Sequence, residues 1–418
     1  MLRSRTRPLL ALIFAGTAWL AACGGGSGGS TGGPVTPPVT SSGLQPFASA
    51  KALEDYLKGA LVAGTGRLGA APDVDFTAGA PSPAAPAFTT TNLQEAGVDE
   101  ADRFKSDGRH LFILGRDAGA PGDSLTIRRL TPVVAGDTKS GSSEIARLRL
   151  PEDALYTRAY LANARPNGQP DVLLAIGEVG GYNFPTFGAP VAIARDWFVP
   201  WDWRAGQTEV QWLEVADAAA PRLGRRVTLD GFHVASRRIG ETVYLVTRYT
   251  PNLPGVTPYP GTEAQVAGNQ RAIERATLDD LLPKWSLDGV VQGPLVSAAS
   301  CFRDSATKAD ASADLIVVSA IDLAHPQAAP RAQCLTGGSE SVYVAPEALY
   351  VATTDQAYTV LPAVDATDLA RYPETISTRL HKFALGAGGP AYRGSGSVTG
   401  HLGWEQDKKS FRMGEHEG

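Results

Sequence analysis

The decisive stretch is VQWLEVAD at 210–217. It is followed by Pro221, by RRVTL at 225–229, by a turn, and by VYLVT from Val243. A second stretch keeps the same order. LIVVSAID at 315–322 leads to Pro330, to RAQCL at 331–335, to a turn, and to LYVAT from Leu349. Asp217 to Val243 is 26 residues, and Asp322 to Leu349 is 27. Self-similarity at nearly constant spacing marks a repeated structural unit. The unit reads strand, Asp, loop with Pro, strand, strand, turn, strand.

Working outward, the same turn-then-strand step recurs. Asp107-Gly108 precedes HLFILG, Asn167-Gly168 precedes DVLLAIG, Ile239-Gly240 precedes ETVYLVTRY, and Pro346-Glu347 precedes ALYVATT. β-Branched and aromatic runs bounded by such dipeptides predict strands and hairpins. No long helical pattern separates them, which argues against a doubly wound parallel sheet. The order is that of four-stranded propeller blades read out of phase. An all-β domain over 88–418 is expected, with insertions at 182–206 and 250–292. Within the second insertion, Thr277 and Asp280 have capping-box spacing before Leu281-Leu282, and Pro283 stops the turn. Composition agrees. The 46 Gly and 30 Pro suit a turn-rich β protein, and 43% hydrophobic residues are enough for a sizeable core. A net charge of −5 lacks the basic balance of a nucleic-acid binder.

The N-terminal region reads differently. Arg3, Arg5 and Arg7 precede an apolar run at 9–22 broken by Thr17. That length fits a signal peptide at 1–22 and is too short to span a bilayer. The run ends in Leu20-Ala21-Ala22-Cys23, which resembles the lipobox of bacterial lipoproteins. The resemblance implies cleavage before Cys23 and lipid attachment there. Losing three arginines would take the formal charge from −5 to −8. Residues 23–46 then read as a Gly/Ser/Pro tether. Position 24 is Gly rather than Asp, which by the same resemblance favours the outer membrane of a Gram-negative envelope. Residues 47–64 predict one short helix. Leu53, Tyr56, Leu57, Ala60 and Leu61 share a face, Ser49 is the N-cap, and Gly64 is the stop. Residues 65–87 read as a second linker.

The segment TTTNLQEAGVDEADRFKSDGRHLFIL at 89–114 resembles the opening signature of secreted bacterial proteins with a β-propeller domain distantly related to WD repeats. Thr91, Asn92, Gln94, the run 97–102, Lys105, Asp107 and Gly108 carry the likeness, with LLPKWSLDG at 281–289, VYVAPEALYVAT at 342–353 and LHKFAL at 380–385. The resemblance covers most of 47–418 and implies a fold rather than a reaction. Members of that family continue past the equivalent of FRMGEHEG at 411–418, so the chain looks cut short, and an open arc of blades is expected.

Several groups bear on chemistry. Asp99, Glu100 and Asp102 offer hard oxygens for Ca²⁺. The spacing lacks the Gly turn and later Glu of an EF-hand loop, and carboxylates steadying the first strand, with Lys105 or Arg103 as partners, fit better. No other cofactor is implied. Once Cys23 is acylated, Cys301 and Cys334 are an even pair that predicts a disulfide in an oxidising compartment. None of the six histidines has metal-ligand spacing. Trp197, Trp201 and Trp203, in WFVPWDW, are a candidate platform for a sugar or peptide. Against it stands a loop whose aromatics seal one end of the core. The expected function is a lipid-anchored binding or interaction scaffold of the cell envelope. Its partners would be the membrane and a protein or polysaccharide ligand. The alternative is a propeller-fold hydrolase or lyase acting on extracellular polymers, which would need an acid/base set on the channel face.

Overall fold

The computed structural model describes residues 43–65, 93–116, 119, 121–131, 141–162, 171–180, 206–258, 260–304, 313–337, 339, 341–356, 376–403 and 408–417. Cys23, the tether to residue 42, Asn167-Gly168 and WFVPWDW lie outside them.

The chain opens with β1 (Leu44–Pro46), α1 (Ala50–Thr65) and the two-residue β2 (Asp99–Glu100). Four antiparallel units follow in order. The first blade is β3 (Phe104–Ser106), β4 (His110–Gly115), β5 (Ser124–Leu130) and β6 (Ser142–Arg149). The second is β7 (Ala154–Ala162), β8 (Val172–Val179), β9 (Gln207–Glu214) and β10 (Arg222–Asp230). The third begins with β11 (Phe232–Ile239) and β12 (Thr242–Tyr249). It is then interrupted by α2 (Glu263–Arg275), α3 (Leu278–Leu281), β13 (Lys284–Leu287), β14 (Val290–Pro294) and β15 (Cys301–Asp304). It resumes with β16 (Leu315–Asp322) and β17 (Arg331–Thr336). The fourth is β18 (Ser341–Val344), β19 (Ala348–Gln356), β20 (Ile376–Ala384) and β21 (Ala391–Thr399).

The turns follow local chemistry. Asp107 Oδ1 accepts from the amides of Arg109 (2.8 Å) and His110 (2.6 Å), closing the β3–β4 turn. Pro346-Glu347 makes a two-residue hairpin in which the Ala345 amide donates to the Ala348 carbonyl at 2.8 Å. The turn expected at Ile239-Gly240 falls one residue later, since Ile239 still pairs with Thr242 and Gly240 carries φ +56°. Gly231 alone links the second blade to the third. At φ +111° a Cβ there would stand 2.8 Å from the Arg248 carbonyl oxygen, so only glycine fits the link.

The long excursion in the third blade, expected from sequence as an insertion at 250–292 with a helical part, also carries strands that join two sheets. Its β13–β14 hairpin pairs with β10 and widens the second blade to six strands. Its β15 pairs with β17 in parallel, and β1 pairs with β15, so the third sheet has seven strands. The excursion therefore ties two neighbouring blades together. The Thr277–Asp280 capping box is present at α3. In α1, the Ala52 amide donates to Ser49 Oγ at 3.1 Å. Gly64 does not end this helix. It continues through Thr65, whose hydroxyl donates to the Leu61 carbonyl at 2.7 Å.

Hydrophobic clusters fill the spaces between consecutive blades. Phe112, Leu125, Leu173 and Leu213 pack between the first and second. Tyr160, Ile176, Leu245 and Val317 pack between the second and third, joined by Leu53, Leu57 and Leu61 of α1. Val246, Val318, Val351 and Phe383 pack between the third and fourth. β8 shows the logic: Leu173 and Ala175 face one core while Leu174 and Ile176 face the other. Among the described residues no ladder joins the first blade to the fourth. β20 and β21 pair only within the fourth sheet, and β4 and β5 only within the first. Hydrophobic clusters join each blade to the next and, among the described residues, none joins the first to the fourth, which is consistent with an incomplete propeller. No helix among the described residues is long and apolar enough to cross a membrane.

Candidate functional site along the inner strands

The first strand of each blade lies at or next to one edge of its sheet, and residues 93–106 run past these strands in turn. Tyr343 on β18 of the fourth blade donates its hydroxyl to the Glu95 carboxylate. Gly97, at φ +85°, turns the chain, and Val98 is buried against Val246 and Tyr244. β2 then adds to the edge of β11, with Asp99 opposite Arg238 and Glu100 opposite Arg237. Asp102 and Ala159 of β7 exchange backbone hydrogen bonds of 3.3 and 2.8 Å. The segment ends as β3 of the first blade.

Side-chain charges lock this path. Asp99 accepts from Lys105 Nζ at 2.9 Å and from Arg238 Nε at 3.1 Å. Glu100 pairs with Arg237 at 3.3 Å. The Lys105 side chain is 7% exposed, and its ammonium also lies 5.6 Å from the Tyr160 ring centroid. Two of the three carboxylates that suggested Ca²⁺, Asp99 and Glu100, are therefore engaged by cations of the chain itself. Lys105 is the partner expected from sequence. Arg103 was its alternative, and Arg237 and Arg238, which sequence reasoning missed, also take part. Asp102 turns its carboxylate back on its own strand, accepting from the Phe104 amide at 3.4 Å. Among the described residues no group of three or more His, Cys, Asp or Glu is placed to hold a metal.

Two polar clusters with perturbed protonation flank this axis. Tyr160 donates to Ser236 Oγ at 2.9 Å, and His233 Nε2 lies 3.1 Å from the same oxygen. Burial, then the nearby Arg158 and Arg237, push the His233 imidazole well below its ordinary range, so it is neutral. In the second cluster Tyr156 donates to the Glu209 carboxylate, with Arg226 3.7 Å from Glu209 and 3.4 Å from Asp153. Burial raises the Glu209 carboxyl. Gly177 makes room for Tyr156, because a Cβ there would stand 2.8 Å from its ring. The two clusters do not converge. Tyr156 belongs to the core between the first and second blades, and Tyr160 to the core between the second and third.

Cys301 and Cys334 are joined by a disulfide, with Cα atoms 4.5 Å apart across the parallel β15–β17 pair. The bond holds β15, and through it β1, to the third blade. An open groove of about 720 Å³ lies between the start of α1, α3 and residues 294–300, lined by Leu278, Leu282, Leu295 and Val296. Cys23 and Trp197, Trp201 and Trp203 are outside the described residues.

Repeated four-stranded antiparallel sheets, with cores between consecutive sheets and one segment running past their first strands, define a bladed β protein. A family model described as Beta propeller domain matches residues 88–418, and the chain belongs to that family. No curated protein and no solved structure matches it.

Proposed function

We propose that this protein is a binding scaffold of the cell envelope, held to a membrane through lipid on Cys23. The observation that carries the binding reading is the use made of the axial charges. Asp99, Glu100, Lys105, Arg237 and Arg238 pair with one another in fixing the segment at 93–106. Such charges build a rigid platform for surrounding loops, which is how this architecture presents ligand sites. The enzyme reading needs an acid and a base that converge, and the two perturbed groups, Glu209 and His233, sit in clusters that face different cores. The anchoring reading rests on the Leu20-Ala21-Ala22-Cys23 context and the Gly/Ser/Pro tether behind it. WFVPWDW at 197–203 is the segment we assign to the ligand, a protein or polysaccharide.

The test is made in cells. A palmitate analogue should label the protein, and Cys23→Ser should remove the label and release the body from membranes. Cross-linking in intact envelopes should capture a protein or glycan partner that is lost when Trp197, Trp201 and Trp203 are all replaced by Ala. Label retained by Cys23→Ser would contradict the anchor. Capture unaffected by the triple variant would contradict the platform.

A further inference from the structure

The fourth blade has a second, differently built face. One side of its sheet carries Val342, Val344, Leu349, Val351 and Phe383 into the core shared with the third blade. The other side carries a row set by strand register. Tyr343 of β18 stands opposite Tyr350 of β19, which stands opposite Lys382 of β20. The row ends at Gly394 of β21, where a Cβ would meet nothing within 4 Å. The two tyrosine rings lie 5.7 Å apart, and the Lys382 ammonium is 5.4 Å from the Tyr350 ring centroid.

A segment of the chain lies on this row. Tyr350 donates its hydroxyl to Glu415 Oε2 at 2.7 Å, and Lys382 Nζ is 4.0 Å from Glu415 Oε1. The Glu415 amide donates to the Tyr343 hydroxyl at 3.0 Å, and Gln94 reaches the Ser410 carbonyl at 2.7 Å. Burial and the neighbouring Glu95 carboxylate push Tyr343 up to about 12, so it keeps its proton at neutral pH. A tyrosine hydroxyl, an ammonium and a second hydroxyl for the backbone amide make up a receptor for a glutamate in an extended segment. Donors aimed at a carboxylate give the stronger class of hydrogen bond. The flanking His416 and Glu417 side chains are 93% and 86% exposed, so at this end of the segment Glu415 is the side chain that the row holds, while Lys409 is buried further back.

We propose that Tyr343, Tyr350 and Lys382 form a carboxylate-reading site for glutamate-bearing peptide segments, a place that residues 408–417 occupy in cis through Glu415. Its partner is a segment of another protein presenting a glutamate after a small residue, as Gly414-Glu415 does. The cis segment lowers the apparent affinity by the fraction of time that it occupies the row. Displacing it would free both the row and the Phe411 ring, which is already 64% exposed. This site does not depend on the tryptophan platform or on the lipid anchor, and it stands or falls independently of both.

The test uses the full chain and a fluorescent peptide with the sequence of residues 408–417. Glu415→Gln in the chain should bind the peptide about tenfold more tightly than wild type, because the cis competitor is weakened. Adding Tyr350→Phe or Lys382→Met to that variant should lose the gain, as should a peptide carrying Gln for Glu. Should Glu415→Gln not fold, the wild-type chain serves. Excess peptide should then speed hydrogen exchange at the Glu415 amide. Equal binding to both chains, indifference to the peptide's carboxylate, or unchanged exchange would overturn the proposal. A concentration-dependent dimer abolished by Glu415→Gln would also overturn it, giving the face to a second copy.

Discussion

The third and first blades use the same strand geometry and bury it differently. In the third, Val243 and Leu245 of β12 enter one core while Tyr244 and Val246 enter the next, and every residue of β16 from Leu315 to Ile321 is buried. In the first, Phe112 and Leu114 of β4 are buried, whereas Leu111 and Ile113 are half-buried and Phe104 is 54% exposed. A blade with neighbours on both sides reads as a continuous apolar run, and one with a single covered face reads as alternation. The contrast predicts where the protein is strong and where it opens first.

The largest break in that contrast should come from truncation. Leu245→Ala, at a fully buried position between two blades, should cost about 3–4 kcal/mol, against about 1 kcal/mol for the half-buried Ile113→Ala. Denaturant midpoints of the two variants measure the difference, and equal shifts would erase it. Next is the disulfide, which no element of the first blade has. Replacing both Cys301 and Cys334 by Ser should cost about 3 kcal/mol, since the bond closes a loop of sequence separation 33. Thermal melts with and without reductant report it, and reductant should leave the double variant unchanged. Asp99→Asn should cost about 2 kcal/mol, because the buried Lys105 side chain loses its carboxylate partner. It should also loosen the first blade, which is joined to the second by a shared core and continues directly from the segment that Asp99 fixes. Asn should therefore raise proteolysis within 104–149 before any other blade is cut.

The smallest effect is in pH dependence. The folded His233 imidazole resists protonation, while the unfolded chain takes a proton near the ordinary histidine value of about 6.5. Its contribution is thus fully present above that value and is lost as pH falls below it toward the depressed folded value. His233→Gln should flatten the fall in stability below about pH 6.5 and leave the curve above it unchanged. A parallel displacement at all pH values would mean that the imidazole is not the titrating group.

What the sequence made legible was local. Hairpin turns, the α1 face, the Thr277–Asp280 box and the 26- and 27-residue repeat depend on residues a few positions apart or on a fixed period. They carry the fold class. What stayed illegible was pairing at distance. β2 finds β11 across 139 residues between Asp99 and Arg238, β13 leaves its own blade to extend its neighbour, and β15 runs parallel to β17. No periodicity encodes those choices, which are made by edge availability in the folded sheet. The candidate site shows the same division. Asp99, Glu100 and Asp102 stood out as an acidic group, but their meaning depended on Arg237 and Arg238. The basic pair in VASRRIG was the one signal that could have pointed there. The Tyr343–Tyr350–Lys382 row requires the register of three strands and had no sequence signature.

Native-state hydrogen exchange on the full chain tests the central claim most directly, namely that blades covered on both faces form the stable body and the first blade is held to it by the axial segment. Exchange should be slowest at the amides of β8, β12 and β16 and should report global unfolding there. Amides of β4 and β5 should exchange through a smaller opening that Asp99→Asn makes cheaper while leaving β12 and β16 unchanged. Uniform protection across all four blades, or an Asp99→Asn effect spread equally over them, would contradict the account.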